Sequence, residues 1–287
     1  MREIGKVISG GIEYTREDLM KMDPVLLRAL LHERTHHNIE VPLYPTLLKW
    51  KGNTIDGFGM QAQMVFDAWR ERGFSEDAED ITWVKDYLDT AAKIRNGEKV
   101  DLNQPLPVPF NDREMAVVNK LLYERRSIRE WIDRPVPDAM IERILEAGRA
   151  APIGCNLGEL RFIILRDPEE KKMIWSDIST ENAIIIVICY DIRVSRVVGQ
   201  DRSVPQNPGF DAAAAADHML LMAHALGLGA VWLSEVKVPQ STGQKFKEQY
   251  GLPDYLEVAL HIAVGWPAIG TIKSKRTPLT DMMFERE

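Results

Sequence analysis

With 287 residues, of which 45% are hydrophobic and 28% charged, the chain has ample apolar material for a buried core and lies outside the composition of a disordered protein. The net charge of −7 is spread along the chain, 14 Lys and Arg against 18 Asp and Glu up to residue 110 and 22 against 25 after it, so neither part carries the basic field that nucleic-acid binding needs. Two cysteines, Cys155 and Cys189, cannot supply a disulfide framework or a cysteine metal cluster. The most apolar run, Ile184 to Cys189, is too short to cross a bilayer, and MREIGKVISGG lacks the apolar core of a secretory signal, so a cytoplasmic protein with no membrane partner is expected.

The first 110 residues carry mostly helical signals. Asp23 followed by Pro24 starts a helix over Val25 to His37, because a carboxylate accepts the orphan amides of a first turn and proline loses nothing there. Apolar residues at three- and four-residue spacing predict helices over Gln61 to Arg72 and Ile81 to Asn96, the second stopped by Gly97. Within the first helix, His32, Glu33 and His36 fit the H-E-x-x-H pattern of zinc hydrolases. Arg34 stands where such helices place an apolar residue and no third ligand stands out, so a histidine-rich helix end is the plainer reading and no metal is assigned.

Asp101 to Asn111, DLNQPLPVPFN, carries three prolines and reads as an extended linker. It divides the chain into a helical N-terminal extension, 1–110, and a second unit, 111–287. In the second unit helix and strand alternate: helices Met115 to Tyr123 and Pro137 to Ala150, strand Arg161 to Leu165, a helical stretch Pro168 to Trp175, and strand Ala183 to Tyr190. Helix Asp211 to Leu226, strand Gly229 to Ser234, a helix near Gln240 to Tyr250 and strand Glu257 to Val264 complete it. The pattern predicts an α+β fold, a mixed sheet with helices packed around it.

Four segments carry chemistry. ERRSIRE, Glu124 to Glu130, places Arg125, Arg126, Ser127 and Arg129 within five positions. Guanidinium forks and a hydroxyl suit a phosphate, and a solvated basic corner explains the same letters. AAPIGCN, Ala150 to Asn156, joins proline, glycine and an amide in a turn where backbone can approach a planar ligand, or simply ends a helix. GFDAAAAADHM, from Gly209, lacks side-chain bulk over Ala212 to Ala216 and permits close helix packing. Near the C-terminus, SKRTPL places Arg276 just before a proline turn.

In order and spacing these segments resemble the nitroreductase superfamily, over roughly Asp112 to the C-terminus. The resemblance implies a nitroreductase-like sheet domain and a homodimer, with FMN held by Arg125, Ser127 and Arg276, Arg126 assisting. It makes Arg129 the cation near flavin N1 and O2, sends Pro152, Ile153, Gly154 and Asn156 to the flavin of the other subunit, and faces Trp232, Leu233 and Ser234 to the ring. Ile153 and Gly158 depart from the family's usual serine and glutamine, and Trp175 to Ala183 is too short for a substrate lid. The implied activity is hydride transfer from NADH or NADPH through FMN to a small electron-poor acceptor such as a nitroaromatic, quinone, conjugated carbonyl or haloaromatic. Reductive dehalogenation or flavin breakdown on the same fold, and a zinc hydrolase built on the histidine helix, are the alternatives.

Overall fold

In the computed structural model, which describes residues 5–49, 51–101, 104–172, 179–233, 247–248 and 250–284, the chain opens with a hairpin that the helical reading of the extension misses. Strands β1 (Val7–Ser9) and β2 (Ile12–Tyr14) pair antiparallel across Gly10 and Gly11, both at positive φ. A Cβ at Gly10 would lie 2.4 Å from the carbonyl oxygen of Val198, so the turn also needs glycine to let two backbones meet. A Gly-Gly pair between short apolar runs is a hairpin signal, outweighed here by the helices that follow.

Helix α1 (Arg16–Lys21) starts at a Thr15–Asp18 capping box, and α2 (Pro24–Thr35) starts where Asp23 accepts from the Val25 amide at 2.9 Å. A π-helical turn, His36–Glu40, joins α2 to α3 (Val41–Lys49). Helices α4 (Met60–Glu71) and α5 (Glu79–Arg95) close a core in which Leu27, Leu30 and Leu31 meet Val65, Trp69, Val84 and Leu88. Leu157, Val194 and Val197 complete the same core from more than sixty residues further along, so the extension buries its apolar stripes against the rest of the chain.

Residues 104–111 are exposed and free of helix or strand. Beyond them come α6 (Asp112–Glu124), α7 (Asp138–Arg149), a 3-10 turn (Gly154–Asn156), β3 (Leu160–Leu165), α8 (Pro168–Lys171), β4 (Ile184–Asp191), α9 (Ile192–Val197) and α10 (Gln200–Ser203). Then follow α11 (Asn207–Ala225), β5 (Gly229–Leu233), β6 (Leu256–Gly265) and α12 (Leu279–Met282). Trp175, Ser234 and most of the helix expected over Gln240 to Tyr250 lie outside the described residues.

The strands pair antiparallel in the order β3-β4-β6-β5, and a parallel bridge from Ser127 to Ala230 makes the sheet mixed. Both faces are covered, which is why β4 is apolar at every step from Ile184 to Cys189. Ile184, Ile186 and Ile188 pack under α7 and α11, whereas Ile185, Val187 and Cys189 meet Ile128 and Trp131 on the opposite face. The alanine run thus has a task within the chain: Ala212 and Ala216 pack against the sheet, Ala215 is fully buried as well, and only Ala213 and Ala214 are turned partly outward. Among the described residues no helix is long and apolar enough to cross a membrane.

Candidate functional site

The arginine segment is laid along the sheet as an extra edge. Ile128 donates to the Ala230 carbonyl at 3.1 Å, Ile132 to that of Trp266 at 3.0 Å, and the Ala268 amide returns to Glu130 at 3.0 Å. The buried Trp131 indole donates to the Gly229 carbonyl at 2.8 Å, and a Cβ at Gly229 would come within 2.6 Å of Ile128, so a glycine is required for the segment to lie this close. Ile128 and Trp131 are buried, and Arg129 and Glu130 between them are exposed.

A cavity of about 190 Å³ opens there. Arg125, Ser127 and Arg129 line one wall, and Thr271, Lys273, Ser274 and Arg276, brought from the chain's far end, line the other. Among the described residues no carboxylate or carbonyl pairs with the guanidinium groups of Arg125, Arg129 or Arg276. Converging unpaired cations with the hydroxyls of Ser127, Thr271 and Ser274 beside them fit a phosphate group. Arg126 also borders the cavity, but its Nη1 donates to the carbonyls of Tyr123 and Arg125 at 3.0 and 2.8 Å, which caps the end of α6. Lys273 and Thr271 were missed in the sequence; the signal was the density of basic and hydroxyl residues over 271–276. A larger cavity of about 930 Å³ adjoins this one, sharing Arg126 and Thr271 and walled by α6, Ile128 and the stretch from His224 to Gly229.

Trp232 and Leu233 end β5 opposite Ile262 and His261, with Trp232 37% exposed, and line neither cavity. Ser234 lies outside the described residues. The turn Pro152–Asn156 lines neither cavity either. Two carboxylate oxygens of Asp211 accept from the Gly154 amide at 3.2 and 3.1 Å, His32 Nδ1 lies 2.6 Å from the Asn156 carbonyl, and Cys155 and Asn156 both adopt positive φ. Ile153 and Gly154 are half-buried while Pro152 and Asn156 are exposed.

Behind the turn, Glu159 is almost fully buried. Burial, and then the neighbouring Asp211 carboxylate, push its carboxyl up to about 8, so near neutral pH Glu159 keeps a proton that Asp211, which itself holds Gly154, can accept. Burial also pushes the Cys155 thiol up to about 11.

The H-E-x-x-H residues do not converge on a metal. His32 bridges Asn156 and Asp80, its Nε2 lying 2.7 Å from the Asp80 carboxylate; His36 Nδ1 donates to Glu40 at 2.7 Å; and Glu33 takes Ser9 Oγ at 2.6 Å together with the Arg34 guanidinium. Burial opposes ionisation of Asp80, yet hydrogen bonds from His32 and Arg28 outweigh it and hold its carboxyl well below the usual range. The zinc-hydrolase alternative therefore fails on geometry: His32 is held by Asn156 and Asp80 and Glu33 by Ser9 and Arg34, so the two cannot join His36 as ligand and base at one ion.

Comparison with known proteins gives this arrangement a family. The family model described as the Nitroreductase family matches residues 122–198 and 180–266, leaving the extension outside it. A protein of Archaeoglobus fulgidus with the provisional name NADH dehydrogenase/NAD(P)H nitroreductase is 33% identical over 153 residues, 52% of this chain and 84% of its own length. The Bacillus subtilis FMN reductase [NAD(P)H] is 28% identical over 184 residues, 57% of this chain and 71% of its own. A Desulfovibrio desulfuricans protein provisionally called a nitroreductase and solved in complex with FMN is 32% identical, has a TM-score of 0.50, and aligns over 62% of this chain and 99% of that one. With the arginine segment and the four-stranded sheet both inside the matched span, the chain belongs to the nitroreductase family.

Proposed function

We propose that the protein is an FMN-dependent oxidoreductase that passes hydride from NADH or NADPH to a small electron-poor acceptor. The observation that carries this is the meeting of Arg125, Ser127, Arg129 and Arg276 in one cavity although 150 residues lie between the first and last. The names of the Bacillus subtilis and Desulfovibrio desulfuricans relatives, which specify FMN, support it.

Arg125 and Arg276 bind the phosphate from opposite walls, with Ser127 as the neutral donor between them; Lys273 adds charge at the rim. Arg129, unpaired and exposed, supplies a positive charge that favours the reduced, anionic ring at N1 and O2. When bound, FMN supplies reversible hydride acceptance and donation at N5. Arg126 holds the end of α6 and so keeps the segment in register. None of these residues is an acid or base for the acceptor, so acceptor choice rests with whatever surrounds the ring. Nitroaromatics, quinones, conjugated carbonyls and haloaromatics all fit such a site, and reductive dehalogenation or flavin breakdown would use the same anchors.

A homodimer is part of the same proposal. The linker presents Leu106, Val108 and Phe110 and the tail presents Ile272, Leu279, Met282 and Phe284, each more than 60% exposed, which is far more apolar surface than a monomer keeps. Pro152–Asn156, Trp232 and Leu233 stand away from their own chain's phosphate cavity, which suits contact with the flavin of a partner. The outer positions Ala213 and Ala214, beside the exposed Phe210, give α11 a face for that partner. A cytoplasmic location, where reduced nicotinamide is made, goes with this activity.

Redox titration of the flavin-loaded protein tests the assignment of Arg129. Arg129→Gln is expected to retain FMN while its two-electron potential falls by about 30 mV or more, the equivalent of about 1.4 kcal/mol. A potential equal to that of the unaltered protein removes the electrostatic role.

A further inference from the structure

Three side chains that this reading leaves without a task meet where the extension touches the turn after α7. His36 and His37, from the π-helical turn, and Cys155, from the 3-10 turn, present ligand-type atoms that all lie within 4.8 Å of one another. His37 Nε2 and Cys155 Sγ are 3.3 Å apart. Among the described residues no other trio of His, Cys, Asp or Glu side chains is gathered in this way.

The surroundings are those of a supported ligand set. Glu40, an acceptor, takes the Nδ1 proton of His36 at 2.7 Å, which leaves the lone pair of Nε2 available, and Tyr87 steadies the other Glu40 oxygen at 3.2 Å. Carboxylate partners of this kind orient metal-binding histidines and fix their tautomer. Glu33 Oε1 stands 3.8 Å from His37 Nε2 and adds negative charge beside the trio. The histidines sit on a π-helical turn, a rare conformation frequent at functional sites. His36 and His37 have side chains 27% and 46% exposed, so an ion can enter from solvent.

We propose that His36, His37 and Cys155 bind one borderline-soft cation of the Zn²⁺ class, clasping the extension to the turn Pro152–Asn156. Two imidazoles and a sulfur exclude hard cations such as Mg²⁺ and Ca²⁺, which require oxygen ligands. Bonds of about 2.0 to 2.3 Å around a tetrahedral ion place ligand atoms roughly 3.3 to 3.8 Å apart, so small side-chain rotations close the site. On binding, the Cys155 sulfur forms the metal bond and its proton passes to solvent. The fourth position is left for water. This site is separate from the arginine cavity, and the extension that supplies two of its ligands lies outside the family match.

Co²⁺ is the probe. The flavin-loaded protein, stripped with a chelator and dialysed, is titrated with Co²⁺ while difference spectra follow thiolate-to-cobalt charge transfer. The expected result is a band that saturates at one equivalent and is displaced by Zn²⁺. Cys155→Ser abolishes the band, and Glu40→Gln weakens binding by about ten- to a hundredfold. A wild-type protein with no saturable band, or a band that survives Cys155→Ser, overturns the site and leaves a simple thiol–imidazole hydrogen bond. Should Cys155→Ser fail to fold, His37→Gln decides: unaltered Co²⁺ affinity in that variant overturns the site equally.

Discussion

The arginine cavity and the junction between extension and turn are made of the same charged residue types, put to opposite uses. At the junction the polar groups are matched: Arg28 by Asp80, Arg34 by Glu33, and the two ring nitrogens of His32 by Asp80 and the Asn156 carbonyl. In the cavity Arg125, Arg129 and Arg276 face one another with no counter-charge among the described residues. Like charges gathered without partners raise the free energy of the protein alone and are offset only by an anion that binds them. A matched cluster, by contrast, completes itself and stabilises a contact. The residue types by themselves therefore say little about function; whether the chain provides the opposing charge says more.

Substitutions at the junction should act on folding and those in the cavity on ligand. The largest effect is expected at Gly10. A Val there would put Cβ against the Val198 carbonyl and force a β-branched residue to positive φ, so Gly10→Val should cost about 3 to 4 kcal/mol in denaturant unfolding. A loss below about 1 kcal/mol would mean that the hairpin does not seat against the loop after α9.

Next comes Glu159. Its folded carboxyl titrates near 8 against 4.5 for the free group, so the folded state binds the extra proton and stability falls as pH rises through that window. Glu159→Gln, which keeps the donor to Asp211 without a charge, should abolish that fall and be worth about 2 to 3 kcal/mol at pH 8.5 while changing little at pH 4.5. Parallel pH profiles for the two proteins would show that Glu159 and Asp211 do not share a proton. Asp80 has the opposite sign: its carboxyl is depressed, so its contribution is present above the ordinary carboxylate pKa and lost as the medium is acidified below it. Asp80→Asn should cost about 2 kcal/mol at pH 7 and leave the acid limb of the stability profile flatter. An unchanged melting temperature at pH 7 would argue that His32 and Arg28 find other partners.

The smallest effect is expected at Arg126, the cation of the motif that the structure spends on its own backbone. Arg126→Ala should change FMN affinity by about 0.5 kcal/mol or less while destabilising the end of α6. A loss as large as that from Arg125→Ala would return Arg126 to the phosphate set.

How much of this was legible in the sequence follows the same division. α7 announces itself by one apolar face at helical spacing, β4 by an unbroken apolar run and α11 by its long alanine-rich stretch, and Arg125, Ser127 and Arg129 stand out because three arginines and a serine crowd five positions. Arg276 is legible only through a resemblance, since no local pattern says that residue 276 meets residue 125. The hairpin was hidden because three residues per strand are too few to show a period of two. His32, Glu33 and His36 match the zinc pattern for a physical reason that has nothing to do with zinc: a helix puts residues i and i+4 on one face whatever their partners, and here Asp80 and Glu40 draw the two imidazoles to different tasks. The meeting of His37 with Cys155 is a contact across 118 residues and has no local signature at all.

The central claim is that Arg125, inside the family match, and Arg276, beyond it, together hold the FMN phosphate. Titration of the apo-protein with FMN, comparing the unaltered chain with Arg125→Ala, Arg276→Ala and the double variant, tests it most directly. Each single substitution should weaken binding by about 1.5 to 3 kcal/mol, a factor of about 10 to 150, and the double variant should lose more than either, all with unchanged folding. Dissociation constants equal to that of the unaltered protein in both single variants would contradict the account.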